Sequence, residues 1–221
     1  LPDYLFRLQR AISYFLCMGN IGFIDPRSDF LDWLVLASEM KSIEISPRYT
    51  DASMWNSHAY EYEKWIKDYR KEHIFRVSRF VFVWSAFEVF AESTIFPKPG
   101  SRGRKGLNKF LASAECSLDN SIVALWRDIC SVYACHRDLR EDISNPEMDY
   151  SEALHVCNLS SLIKVATHYR NKAAHGATSI EYVEDVDSFG LSAVDYLNFV
   201  DNCTYATLVV IQYVCGLLVS I

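Results

Sequence analysis

From Phe80 to Phe96 the chain reads FVFVWSAFEVFAESTIF, apolar on nearly every side of a helix, with Glu88 and Glu92 its only charges. Such a pattern predicts a buried helix. Just upstream, the acid- and base-rich stretch EYEKWIKDYRKE is amphipathic at helical spacing, so a helix starting at about Asp51 is expected to continue or bend into the apolar segment. Two earlier helices are expected at Tyr4 to Cys17 and Asp29 to Lys41, separated by Gly19, Asn20, Gly22 and Pro26, with Ser28 as the N-cap of the second. Later ones are expected at Leu107 to Ala114, Asp119 to Leu139 and Ser151 to His175, with a break at Ser144-Asn145-Pro146. An acidic connector with Glu181, Glu184, Asp185 and Asp187 then leads to a final helix over the charge-free stretch Asn202 to Ile221. Long apolar runs at helical spacing outnumber alternating ones, so the chain reads as all-α. Residues 1–45 form a helical hairpin extension that carries no motif, and residues 46–221 one compact helical unit.

The densest chemistry falls at the end of the 151–175 helix, in Arg170-Asn171-Lys172-Ala173-Ala174-His175-Gly176. Counting Leu159, Leu162, Ile163, Ala166, Arg170 and Ala173 at roughly 100° per residue places the guanidinium in the middle of the apolar face. A permanent cation there needs a partner, and Glu88 is the carboxylate the apolar helix supplies. The two are expected to pair as buried charges, so that Glu88→Ala costs about 3 to 5 kcal/mol through the stranded arginine. Asn171 and His175 stand four apart and share a neighbouring face. Plainer accounts stand beside these. Basic residues collect in the last turn of ordinary helices, with Gly176 as the left-handed cap, and Glu88 can point to water at the helix rim beside Glu92. His168, two turns before His175, either lines the same groove or is an exposed polar-face histidine.

The combination of W-S-A-F-E (Trp84 to Glu88) with a downstream R-N-K-A-A-H-G resembles the HEPN superfamily, and within it the ApeA-like group of prokaryotic defence and toxin systems. The likeness spans roughly residues 55 to 215. It implies an HEPN-like helical bundle, here with the extra N-terminal hairpin, and a metal-independent endoribonuclease that needs no cofactor. Arg170 and His175 would act on an RNA phosphodiester, Asn171 would orient the phosphate or the arginine, and Glu88 would support them. The chemistry suits the residues: imidazole carries a proton near neutral pH, and a guanidinium neutralises the charge that develops as the 2′-hydroxyl attacks its own phosphate. Because Arg170 and His175 are five residues apart, they diverge by about 140° on an ideal helix. HEPN domains commonly pair across a two-fold axis, so the resemblance implies a homodimer with signature helices facing each other. It also implies a regulatory partner such as an antitoxin. In one HEPN branch a tyrosine two places after the histidine is modified, whereas Ala177 stands here. The alternatives are a module that keeps the HEPN fold without catalysis and binds RNA or nucleotide or serves as a dimerisation platform, and a plain helical interaction domain in which Arg170 to Gly176 is only a cap.

Net charge sharpens this picture. At −6, from 22 basic and 28 acidic residues, the chain is no generalised nucleic-acid coat. Between Glu92 and Glu115, however, there is no acid, and Lys98, Arg102, Arg104, Lys105 and Lys109 fall within a Pro- and Gly-rich run. That run reads as a flexible loop, either tracking an RNA backbone or simply solvated. Seven scattered cysteines without a C-x-x-C pair suggest reduced core thiols in a cytoplasmic protein, and Cys130, Cys135 and His136 fit no familiar zinc spacing. The C-terminal apolar run has membrane-span length, but Asn202, Thr204, Thr207, Gln212 and Ser220 interrupt it, so a buried or dimer-facing helix is expected. The chain starts at Leu1 without methionine or a basic leader, which reads as a fragment or processed form.

Overall fold

The computed structural model describes residues 2–17, 29–44, 57–94, 103–113, 120–135, 158–174 and 192–219. Among these, every element is a helix: α1 (Pro2–Cys17), α2 (Phe30–Glu39), α3 (Ser57–Ser93), α4 (Gly103–Ser113), α5 (Asn120–Cys135), α6 (Leu159–Ala174) and α7 (Ala193–Val219).

Two long helices, α3 and α7, form the spine. α3 runs unbroken for 37 residues, so the charged and apolar halves expected from the sequence are one rod. Phe80, Val83, Trp84, Ala86, Phe87, Phe90 and Ala91 all point into the core. Between them, Val81, Ser85, Glu88 and Glu92 recur at spacings of four, three and four along an outward stripe, and none of the four is buried. α7 is buried on most sides from Tyr196 to Cys215, which is why this stretch tolerates so little charge. Thr204 and Thr207 survive there because their hydroxyls donate to the Val200 and Cys203 carbonyls, each at 2.9 Å. No described helix is long and apolar enough to cross a membrane. The final helix begins at Ala193, earlier than the charge-free run suggested, behind a capping arrangement in which the Ser192 backbone N–H donates to Asp195 at 2.9 Å and the Asp195 N–H to the Ser192 hydroxyl at 3.2 Å.

The remaining helices lean on this spine. α2 buries Phe30, Leu34 and Ala37 against α3, with Phe30 edge-on to Phe90 and Trp33 beside Phe82. Its N-cap is Asp29 without a side-chain cap bond, not the expected Ser28, which lies outside the described residues. At its other end the buried Arg79 of α3 donates to the Met40 carbonyl at 2.9 Å. α1 sets Leu5, Leu8 and Ile12 into the same core, and its Tyr4 hydroxyl donates to Gln212 of α7 at 2.6 Å. α6 starts at an Asn158 cap, whose side-chain oxygen accepts from the Ser161 N–H at 2.7 Å, rather than at Ser151.

The basic run departs most from expectation. Helix α4 begins at Gly103, ahead of the expected Leu107, so Arg104 and Lys105 join Lys109 on a helix and do not stand on a flexible loop. Leu107 and Leu111 are buried and Phe110 packs against the core, which outweighs the helix cost of the glycines. Lys98 and Arg102 lie outside the described residues.

Candidate functional site

The end of α6, the outward stripe of α3 and the first turn of α4 meet around Glu88. Arg170 reaches it across the α3–α6 seam, one terminal nitrogen straddling both carboxylate oxygens at 3.2 and 3.4 Å. The other terminal nitrogen donates to the side-chain oxygen of Asn171 at 3.2 Å. The expected pairing of Glu88 with Arg170 is therefore present, and the amide next in sequence shares the guanidinium. Its depth differs from expectation: the side chains of Arg170 and Glu88 keep 35% and 34% of their surface exposed. The arginine sits at the margin of the apolar face rather than in its middle, because α3 presents Glu88 on its outward stripe and the guanidinium follows the carboxylate to water.

A second guanidinium approaches the same carboxylate. Arg104 of α4 stands 3.9 Å from Glu88 Oε1, with its own side chain 43% exposed. Its guanidinium carbon lies 5.8 Å from the ring centre of the buried Trp84, one turn before Glu88 on α3. What sets α4 there is Gly103, whose backbone takes φ +69 and whose absent Cβ would fall 2.5 Å from Glu92 Oε1. Glu92 thus packs against the N-terminus of α4, where a negative charge suits the exposed N–H groups of a first turn that carries no acid of its own. Lys105, Asn108 and Lys109 continue along the exposed side of α4.

In the sequence Arg104 falls within a loop signal, and its link to Glu88 emerges only from the packing of α4 on α3. The available signal was the acid-free interval after Glu92, which left Glu88 and Glu92 as the nearest anions for α4. His168 is corrected as well. It is 1% exposed, inside the bundle rather than on a polar face, because successive turns of α6 bury Val165, Ala166, His168 and Tyr169 on almost all sides. His175 lies outside the described residues, and so do the side chains of Cys135 and His136. Among the described residues no group of three metal-ligating side chains comes together.

Two clefts elsewhere differ in character. One of about 520 Å³ is lined by Tyr4, Tyr205 and Tyr213 among others, and one of about 550 Å³ by Asp128, Asp195 and Asp201. Neither includes a predicted site residue, and the acidic lining of the second has the wrong sign for a phosphate chain. The Glu88 cluster, with two guanidiniums around one carboxylate, is the better anion site. No known family, curated protein or solved structure matches this chain.

Proposed function

We propose that the protein is a metal-independent endoribonuclease of the HEPN type, with Arg170 and His175 acting on an RNA phosphodiester. The observation that carries the reading is the placement of Arg170: pinned by Glu88 and Asn171, yet one-third open to solvent at the end of α6. A guanidinium held on two sides has given up much of its rotamer freedom before substrate arrives, and its planar fork suits a phosphoryl group. His175 follows five residues later and supplies the group that titrates near neutral pH. It takes the 2′-hydroxyl proton while Arg170 neutralises the charge growing on the phosphate, and the bond to the 5′-oxygen of the next nucleotide breaks as that oxygen takes a proton back from the imidazolium. The products are a 2′,3′-cyclic phosphate and a free 5′-hydroxyl.

A second copy completes the site. Ser160, Lys164, Thr167, Asn171 and Ala174 recur at spacings of four and three along α6, and each keeps at least part of its surface exposed. Two such helices facing across a two-fold axis bring both signature segments into one cleft. A regulatory partner then holds an otherwise constitutive RNA-cleaving activity in check, as in a toxin or phage-defence effector.

One observation favours a non-catalytic RNA-binding module instead: Glu88 already compensates Arg170, as it would in a purely structural pin. Labelled single-stranded RNA incubated in EDTA separates the two. The endoribonuclease cleaves it, and Arg170→Ala and His175→Ala each lower the rate by at least about a hundredfold. Cleavage that survives both substitutions rules out the catalytic reading, and salt-sensitive retention of uncut RNA by every form supports the module.

A further inference from the structure

We infer that Arg104 and Arg170 form a two-sided phosphate clamp, and that Glu88 is the internal anion occupying it until a nucleic-acid phosphate takes its place. The inference rests on the proposed reading only for the identity of the incoming phosphate as RNA. Its geometry stands on the two guanidiniums that reach one carboxylate from different helices, Arg170 from α6 at 3.2 Å and Arg104 from α4 at 3.9 Å. All three side chains are between one-third and one-half exposed, so an anion from solution has access to the same donors.

Three features distinguish this arrangement from an ordinary surface ion pair. First, two fixed cations from different helices share the one carboxylate that lies between them, Glu88, while the other nearby carboxylate, Glu92, sits against the start of α4. Second, Arg104 and Lys105 occupy the first turn of α4, where the helix dipole disfavours cations. Glu92 against the start of α4 offsets part of that cost, and a phosphate held by Arg104 adds negative charge on the same side. Third, Arg104 is not free to swing, since Trp84 lies beneath it and Gly103 seats the helix start against Glu92. A carboxylate and a phosphodiester each present two oxygens to a guanidinium fork, so Glu88 is a fair stand-in for the substrate group. Lys105 and Lys109, one turn apart on the exposed side of α4, extend the positive track for neighbouring phosphates.

RNA entry is accordingly an exchange of anions. The incoming phosphate replaces Glu88 between the guanidiniums, and the carboxylate is released to water through its exposed edge. The empty site stays ordered but is weakened toward RNA by the charge it already contains. Arg104 becomes a substrate-contacting residue in this account, and Glu88 a brake on binding.

The test is binding of a fully 2′-O-methylated single-stranded RNA, which cannot undergo 2′-hydroxyl attack, to wild type, Glu88→Gln, Arg104→Ala and Arg104→Lys across a range of salt. Far-UV circular dichroism verifies that each variant keeps its helices. Glu88→Gln keeps a hydrogen-bond acceptor but removes the competing charge, and tightens binding about fivefold. Arg104→Ala weakens it about five- to tenfold and reduces the salt slope by roughly 0.7, the release expected from one phosphate contact on a single strand. Arg104→Lys recovers the slope but not the full affinity. Equal or weaker binding by Glu88→Gln overturns the exchange, and an unchanged salt slope in Arg104→Ala removes Arg104 from the clamp. If the variants behave as stated while ordinary RNA is never cut by wild type, the clamp stands and the catalytic reading alone falls.

Discussion

At the residue scale the central unit is the Glu88–Arg170 pair, and its worth depends on its depth. A carboxylate in FVFVWSAFEVFAESTIF has few places to go, so its pairing with an arginine on the apolar face of another helix could be read from residue types alone. Its exposure could not. Val81, Ser85, Glu88 and Glu92 form an outward line that is hidden in the sequence because the valine looks like core. With about a third of each partner in water, solvent screens the pair, and Glu88→Ala is expected to lower unfolding free energy by about 1 kcal/mol rather than the 3 to 5 of a desolvated pair. Urea denaturation at neutral pH measures this. A loss above about 3 kcal/mol would mean that the pair is screened far less than its exposure indicates.

At the element scale, α4 and the α3–α7 seam show where local sequence misleads. Prolines and glycines between Glu92 and Leu107 signal a loop, yet Leu107, Phe110 and Leu111 form an apolar edge that the bundle can bury, and tertiary packing overrides propensity. His73 is 3% exposed, stacked at 6.0 Å from Tyr69 of its own helix and edge-on at 5.3 Å from Tyr196 of α7, with neither ring nitrogen hydrogen-bonded among the described residues, an environment that only the packing of α3 on α7 creates. Burial pushes its pKa from the usual 6.5 down to about 4. The folded protein therefore prefers the neutral ring while the unfolded chain accepts a proton at higher pH. Stability contributed by the neutral ring is full above 6.5 and is lost progressively as pH falls toward 4. Between about pH 7 and pH 5 this single group is expected to remove about 2 kcal/mol, measurable by urea denaturation at each pH. His73→Phe should flatten the slope, and an equally steep decline in that variant would assign the acid sensitivity to other groups.

For the molecule as a whole, the all-helical fold was legible because helical periodicity dominates the chain, and the same excess of apolar surface explains why α7 lies at the centre rather than in a membrane-like run of its own. The N-terminal hairpin is part of that assembly: Leu5, Leu8, Ile12, Phe30 and Leu34 belong to one core with Trp84 and Phe199. What this core positions is the edge where α3, α4 and α6 converge, a place no single segment encodes, since Glu88, Arg104 and Arg170 are far apart in sequence and only packing joins them. The chemistry proposed for Arg170 and His175 is reported on directly by the ends of the RNA it would leave. Mass spectrometry of a short RNA digested by the wild-type protein in EDTA should find 2′,3′-cyclic phosphate and 5′-hydroxyl termini, with no cut where the nucleotide preceding the scissile phosphate is 2′-deoxy. Products ending in 3′-hydroxyl and 5′-phosphate, or cleavage that continues past the 2′-deoxy substitution, would contradict the account.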